Sequence, residues 1–383
     1  MIPILSAVTR DGEIIIPAQH PRTFLDVLKT SNTFSCAQCS EQVILKNGPI
    51  KIPHFAHTRN ISCNQAFSEG ESEDHLNGKL DLYEFLQKHS SSVELEAYLP
   101  FLHQRPDLYV QSNVSKFAIE FQCSQIPVTA IQDRTNGYIT KQIIPLWILR
   151  TPRSSDFPIH EIGTMKLSSF RQQFFYTTPN GKAILTYCPR TKYFHYISNP
   201  MHVKANNYIV KVKKLSLEEQ SWPFAILKKN SWEEFQKYLS LYKHQRSKHL
   251  DNLYFFNRKG IQSLYLQICY RWRMHPNKLP FFIGIPTKQA VVFPTHAVEW
   301  QIQFIDYLHQ LGLSIPQADY QHCETFLLDR NISSQPSAEH IKAVENYLNT
   351  LQRCLMSTEE AIYNSKMNYY LMKRLLYSEF LAN

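Results

Sequence analysis

Residues 114–126 read V-S-K-F-A-I-E-F-Q-C-S-Q-I. Two-residue alternation puts Phe117, Ile119 and Phe121 on one face of a predicted strand and Ala118, Glu120 and Gln122 on the other. A strand this apolar on one face, with a carboxylate and an amide on its other face, is a poor solvent-exposed strand and predicts the wall of a polar pocket. Upstream, E-S-E-D-H-L-N-G-K at 71–79 spaces Glu71, His75 and Lys79 at i, i+4 and i+8, one face of a helix over two turns. Between the two lies Arg105-Pro106-Asp107, bordering another apolar run. Asp107 and Glu120, brought together from neighbouring strands with Glu71 as a third oxygen, predict a hard site for Mg²⁺ or Mn²⁺. That chemistry cuts phosphodiesters. The plainer alternative makes Glu71, His75 and Lys79 a solvated helix face and Asp107 a turn residue after proline. Glu120 and Gln122 resist it, because their flanks are so apolar.

The chain around these clusters reads as α-β-β-β-α-β. Leu76, Leu80, Tyr83 and Leu86 give a helix an apolar face; Val93, Leu95 and Ala97 alternate; strands follow at Asp107 and at 117–122. A helix over 127–141 carries Arg134 and Tyr138 one turn apart, and 143–149 is a fourth strand. The motif order E-x3-H-x3-K, R-P-D and I-E-F-Q-C-S resembles the nuclease-like domain of the CoiA competence protein family, itself similar to the PD-(D/E)xK nuclease superfamily. F-S-C-A-Q-C at 34–39, I-P-H-F-A-H at 52–57, L-T-Y-C-P-R-T-K-Y-F-H at 185–195 and V-E-W-Q at 298–301 resemble the same family, so the likeness covers nearly the whole chain.

The expected fold class is therefore α/β: a PD-(D/E)xK nuclease-like αβββαβ core, an N-terminal β-rich zinc-finger-like module and a C-terminal mostly helical domain. The expected bounds are 1–64, 65–216 and 217–383. By resemblance the superfamily places a lysine two residues after the glutamate, where this chain has Gln122. Glutamine cannot supply positive charge to a developing oxyanion. Lys79 could substitute from the helix, His75 could orient water, carry a proton or bind the scissile phosphate, and Arg134 could neutralise a phosphate.

Cys36-x2-Cys39 followed by His54-x2-His57 offers two thiolates and two imidazoles, a donor set that selects tetrahedral Zn²⁺ and would staple a segment too small to own a core. Cys63 could replace one histidine. The alternative is buried reduced thiols and ordinary polar histidines. No apolar run is long enough for a transmembrane helix, and the first residues lack a secretory signal's basic start, so the expectation is a reducing cytoplasm and no membrane.

A formal charge of +9, with 21 Tyr and 23 Phe, suits an anionic partner that offers rings to stack on, such as single-stranded or branched DNA. Beyond residue 217 helical periodicity takes over, and Lys243, Arg246, Lys248, Arg258 and Lys259 are the expected nucleic-acid contacts. The resemblance implies natural transformation, in which incoming single-stranded DNA is recombined with RecA. The leading expectation is a metal-dependent DNA nuclease acting on strand-exchange or branched intermediates. A catalytically silent DNA-binding recombination mediator is the alternative, and an RNA or restriction-type endonuclease would use the same pocket.

Overall fold

Short apolar runs broken by Pro, Gly and Ser cannot propagate as helices, and they open the chain as six strands. The computed structural model describes residues 3–57, 72–90, 92–112, 114–256, 260–330, 332, 335–354 and 369–381. The chain divides into two compact units, one of Met1–Pro152, Ile184–Tyr196 and Lys213–Ile226, the other of Arg153–Ala183, Ile197–Val212 and Leu227–Asn383.

In the first unit, β1 (Pro3–Ile4), β2 (Ala7–Thr9), β3 (Ile14–Ile15), β4 (Phe34–Ser35), β5 (Gln42–Lys46) and β6 (His54–His57) form an antiparallel sheet in the order β1-β6-β5-β4-β2-β3. Alternation along β5 buries Val43 and Leu45, which pack with Phe34, Phe55 and the Leu25 and Leu28 side of α1 (Arg22–Ser31). β2 and β3 pair as a hairpin, but the strand that leads into β2 is split. Pro3–Ile4 pairs with β6 and Ala7–Thr9 with β3, and Leu5 and Ser6 between them point their polar groups elsewhere.

The next elements are α2 (Glu73–Gln87), β7 (Ser92–Leu95), β8 (Leu108–Gln111), β9 (Lys116–Gln122), α3 (Val128–Thr140) and β10 (Ile143–Arg150). Strands β7, β8 and β9 are antiparallel neighbours, and β10 lies parallel to β9 with Trp147 opposite Glu120. Ser72 caps α2 by accepting from the His75 amide, and Glu73 and Asp74 complement the helix dipole. Leu76, Leu80, Tyr83 and Leu86 are buried. Gly78 lets α2 lie directly on β9, because a Cβ there would collide with the Phe121 ring. Phe121 therefore marks the α2 face of the sheet. Its neighbours Glu120 and Gln122 take the other face by alternation, the one α3 covers.

After β10 come β11 (Ile162–Lys166), α4 (Ser169–Gln172), β12 (Tyr176–Thr178), β13 (Gly181–Cys188), β14 (Tyr193–Lys204) and β15 (Asn207–Ser216). Leu185–Tyr187 of β13 run parallel to Ile148–Arg150 of β10 in the first unit. In the second unit β11 pairs antiparallel with β15, and β12 with the start of β13.

The rest of the second unit is helical: α5 (Trp232–Phe255), α6 (Leu264–Arg271), α7 (Ala297–Gln310), α8 (Tyr320–Asp329), α9 (Ala338–Arg353) and α10 (Tyr369–Leu381). A Ser231–Glu234 capping box starts α5. Phe235, Tyr238, Phe282, Trp300 and Tyr347 centre a large core that also takes Tyr265 and Trp272. Among the described residues no helix is long and apolar enough to cross a membrane.

Candidate active site and metal centre

Lys79 projects from the second turn of α2 into the interior and is 0% exposed. A buried ammonium is expensive unless paired, and here it meets two carboxylates. Its Nζ lies 2.5 Å from Glu96 Oε1 and 3.7 Å from Asp107 Oδ1. Asp107, just before β8, also takes His75 Nε2 at 3.4 Å and accepts the Phe121 amide at 2.8 Å. Burial alone would push the Asp107 carboxyl up. His75, Lys79 and the Phe121 amide outweigh it and hold the group well below the usual carboxylate range. Burial likewise opposes ionisation of Glu96, and Lys79 and then Arg105 overcome it.

Glu96 is a site residue that the sequence pattern concealed. Alternation of Val93, Leu95 and Ala97 sends it to the outer face, yet it is 4% exposed. The reason is local: its φ is +54°, which ends β7 at Leu95 and turns the side chain inward.

On the α3 face, Glu120 is 2% exposed and is held by Arg134 and by the Tyr138 hydroxyl, which donates to the same Oε1 at 2.5 Å. Burial pushes its carboxyl up to about 7, against the attraction of Arg134, and the nearby Asp107 charge adds to the rise. Arg134 also donates to the Arg105 carbonyl; burial works against its charge, and the Glu120 carboxylate more than offsets that. Gln122 donates to the Ser124 carbonyl at 3.0 Å. His75, Lys79 and Asp107 thus meet, while Glu120 is engaged by partners from the opposite helix. Glu71 lies outside the described residues. Among the described residues this region brings no three His, Cys, Asp or Glu donor atoms within 4.8 Å of one another. By itself the described oxygen set does not make a closed divalent-ion site.

His75 also lines a cleft of about 330 Å³ with Ser72, Asp74, Ser124, Arg150 and Arg190. Arg150 and Arg190 reach Asp74 at 2.8 and 3.0 Å, and although burial opposes it, the two guanidiniums keep that carboxyl low. The α2 N-terminus, two partly solvated guanidiniums and a histidine make a chemistry suited to a phosphate.

At the N-terminus, Cys36, Cys39 and His57 gather so that one donor atom from each lies within 4.8 Å of the others, with Cys39 Sγ and His57 Nε2 at 3.4 Å. Two sulfurs and an imidazole fit a tetrahedral Zn²⁺ lacking one ligand. The knuckle forms because Ser40, at φ +59°, folds its amide back to the Cys36 carbonyl. His54 is not brought to this cluster. Three residues before His57 on a strand it projects from the other face, and its Nδ1 is 2.8 Å from the Ile52 carbonyl. Cys63 lies outside the described residues.

Of the basic residues expected at nucleic acid, Arg246 is committed to protein: its guanidinium donates to the carbonyls of Leu279, Pro280 and Ile283. Lys243 and Lys248 are exposed, and Arg258 and Lys259 lie outside the described residues. Tyr254, Phe255, Phe256 and Tyr270 are exposed rings near that end of α5 and α6.

Taken together, these features define a mixed α/β protein with a buried acidic and basic site on one sheet and a thiolate–imidazole cluster on another that could hold a metal ion. Residues 71–232 match the model of the competence protein CoiA nuclease-like domain, and residues 17–66 match that of the CoiA N-terminal domain. Competence protein CoiA of Bacillus subtilis (strain 168) is 28% identical over 351 residues, covering 86% of this chain and 89% of that protein. No solved structure matches the chain. The chain belongs to the competence protein CoiA family.

Proposed function

We propose that this chain processes DNA during natural transformation as a metal-dependent nuclease of PD-(D/E)xK type, acting on single-stranded or branched intermediates. The observation that carries the reading is Lys79, fully buried yet charged between Glu96 and Asp107, beside a histidine that opens onto the arginine-lined cleft. Lys79 takes the part of the lysine that Gln122 cannot play, offering positive charge near a phosphodiester bound at the cleft. Asp107 orients His75, whose imidazole can pass a proton to or from the reacting oxygen. Arg150, Arg190 and the α2 N-terminus hold the strand's phosphates. Asp107 with Glu71 would hold Mg²⁺ or Mn²⁺, which when bound supplies Lewis-acid stabilisation of developing charge. Zn²⁺ would be held by Cys36, Cys39 and His57, with Cys63 as the candidate for the fourth position, and would serve structure rather than chemistry. In the second unit Lys243, Lys248, Arg258 and Lys259 are the candidate nucleic-acid contacts, and the exposed rings of α5 and α6 offer bases a surface to stack on. The chain's place of action is the cytoplasm alongside RecA, where thiols stay reduced, and no disulfide joins the cysteines among the described residues. Functionally the chain reads as three parts, 1–64, 65–216 and 217–383.

One observation favours a second reading. Glu120 is tied to Arg134 and Tyr138, and Gln122 follows it, which suits a catalytically silent core that binds DNA as a recombination mediator. Labelled single-stranded, duplex, flap and junction DNA incubated with Mg²⁺ or Mn²⁺ separates the two. Cutting that Asp107→Ala and Lys79→Met both abolish supports the nuclease. Tight, salt-sensitive binding with no cutting supports the mediator, and cutting unchanged in both variants removes the assigned site.

A further inference from the structure

We infer that Glu96 is a positioning residue through which the Cys36, Cys39 and His57 centre sets the place of Lys79. The inference rests on the proposed site for the importance of Lys79, but its geometry is independent of what that site does. Glu96 uses both carboxylate oxygens. Oε1 accepts from Lys79, and Oε2 accepts from the Leu5 amide at 2.9 Å. Its own amide donates to the Asp107 carbonyl at 2.8 Å, so one residue joins the N-terminal segment, Lys79 and Asp107. Next to it, the Ser6 hydroxyl donates to the Leu95 carbonyl. These bonds explain why the first strand is split: Leu5 and Ser6 leave their own sheet to serve β7 and the turn after it.

The path back to the metal donors is short. Leu5 follows β1, a two-residue strand whose partners are Phe55 and Ala56 of β6, and His57 is the next residue of β6. So small a strand has little hold of its own; it takes its register from β6. The sheet carrying both is a small module with a thin core, the kind that depends on a bound ion to stay ordered. A cation shared by Cys36, Cys39 and His57 fastens β6 to the knuckle. Without it β6 loosens, β1 loses its template and the Leu5 amide leaves Glu96. Glu96 holds a left-handed backbone conformation that only surrounding contacts maintain, so it and the ammonium it carries are then released. Metal occupancy in the N-terminal sheet thereby controls the geometry of the buried Lys79.

The test uses the full chain and reads Lys79 itself. Acetylation by a small anhydride, quantified by mass spectrometry against exposed Lys248, measures how well Lys79 is shielded, and hydrogen exchange over 128–140 reports global loosening. Removing zinc with a chelator should raise Lys79 labelling about ten-fold while exchange in α3 changes less than about two-fold. Glu96→Gln, which keeps volume but gives up the charge for Lys79, should raise labelling with zinc content unchanged, and chelation should then add less than about two-fold. Cys39→Ser should reproduce the chelated wild type. The inference is overturned if wild-type protein reconstituted with zinc binds none, if chelation leaves Lys79 shielded or loosens α3 equally, or if Glu96→Gln labels like wild type. None of these readouts uses DNA, so a chain that neither binds nor cuts DNA defeats the nuclease reading and leaves this one standing.

Discussion

Replacing Glu120 by glutamine should flatten the dependence of stability on pH across the neutral range. In the folded chain burial lifts this carboxyl from its ordinary 4.5 to about 7, so the native state binds a proton more tightly than the unfolded chain does. A raised carboxyl contributes stability below its unfolded value and loses it as pH climbs through the folded one. Between about pH 4.5 and pH 8 that single group should therefore remove roughly 3 kcal/mol of stability, each tenfold change in proton affinity being worth about 1.4 kcal/mol. Glutamine keeps an oxygen for Arg134 and Tyr138 and has nothing to titrate. Urea unfolding of wild type and Glu120→Gln at steps of about one pH unit from 5 to 8, with zinc held saturating, gives the difference directly. The gap should widen steadily with pH in favour of the variant. Asp107 cannot mimic the effect, because its carboxyl is held low and contributes stability that disappears only in acid. Parallel curves for the two proteins would mean that Arg134 and Tyr138 compensate the burial of Glu120 in full, and the account of the α3 face would be wrong.

Three further outcomes follow from the same geometry. Lys79→Met leaves two buried carboxylates without their cation and should cost roughly 3–5 kcal/mol in urea unfolding, part of which Glu96→Gln restores in the double variant; strictly additive losses would show that the pair is not coupled. Elemental analysis should find about one zinc per chain in wild type and in His54→Ala, but less than about half an equivalent in Cys36→Ser; equal loss in His54→Ala would return that histidine to the ligand set. Arg246→Met should destabilise by about 1–3 kcal/mol through orphaned carbonyls while DNA affinity holds, whereas Lys248→Ala should leave stability alone and lower the salt slope of DNA binding by about one; the reverse pattern would put Arg246 at the interface.

Periodicity carried the framework. The alternation around Glu120 placed β9 and put Phe121 opposite the carboxylate, and the i, i+4 apolar positions placed α2, because both patterns follow from which face is buried. Direction within a polar face was not legible. His75 and Lys79 share a helical stripe, and nothing in that spacing says that Lys79 ends in the core while His75 opens to a cleft. Glu96 was hidden by a single backbone torsion, since a strand pattern assumes that alternation continues to its end. The clue available was indirect: Lys79, on a helix with so apolar a face, would need an acidic partner. The His54–His57 spacing held its own answer once β6 was recognised as a strand, because an odd separation divides two side chains between faces. The one-turn spacing of Arg134 and Tyr138 makes them a pair, with Arg134 a candidate for a phosphate, but it does not say that both close on the buried Glu120.

How charge is balanced on the α2 face bears on which reading of function survives. Glu96 and Asp107 are anionic there, and Lys79 and the nearby Arg105 oppose them, so these fixed charges nearly balance. A phosphodiester entering the adjacent cleft adds negative charge in a place of reduced dielectric, where an uncompensated charge is costly. The balance can be restored by a divalent cation beside Asp107 or by the arginines that line the cleft. A nuclease needs the first route, and its DNA affinity at the site should rise with added Mg²⁺ or Mn²⁺. A silent mediator can use the second, and its affinity should instead fall as divalent ions act as screening salt. The two readings thus predict opposite dependences on Mg²⁺ from one set of side chains, and Asp107→Asn, which removes the cation's ligand and spares the arginines, tells them apart.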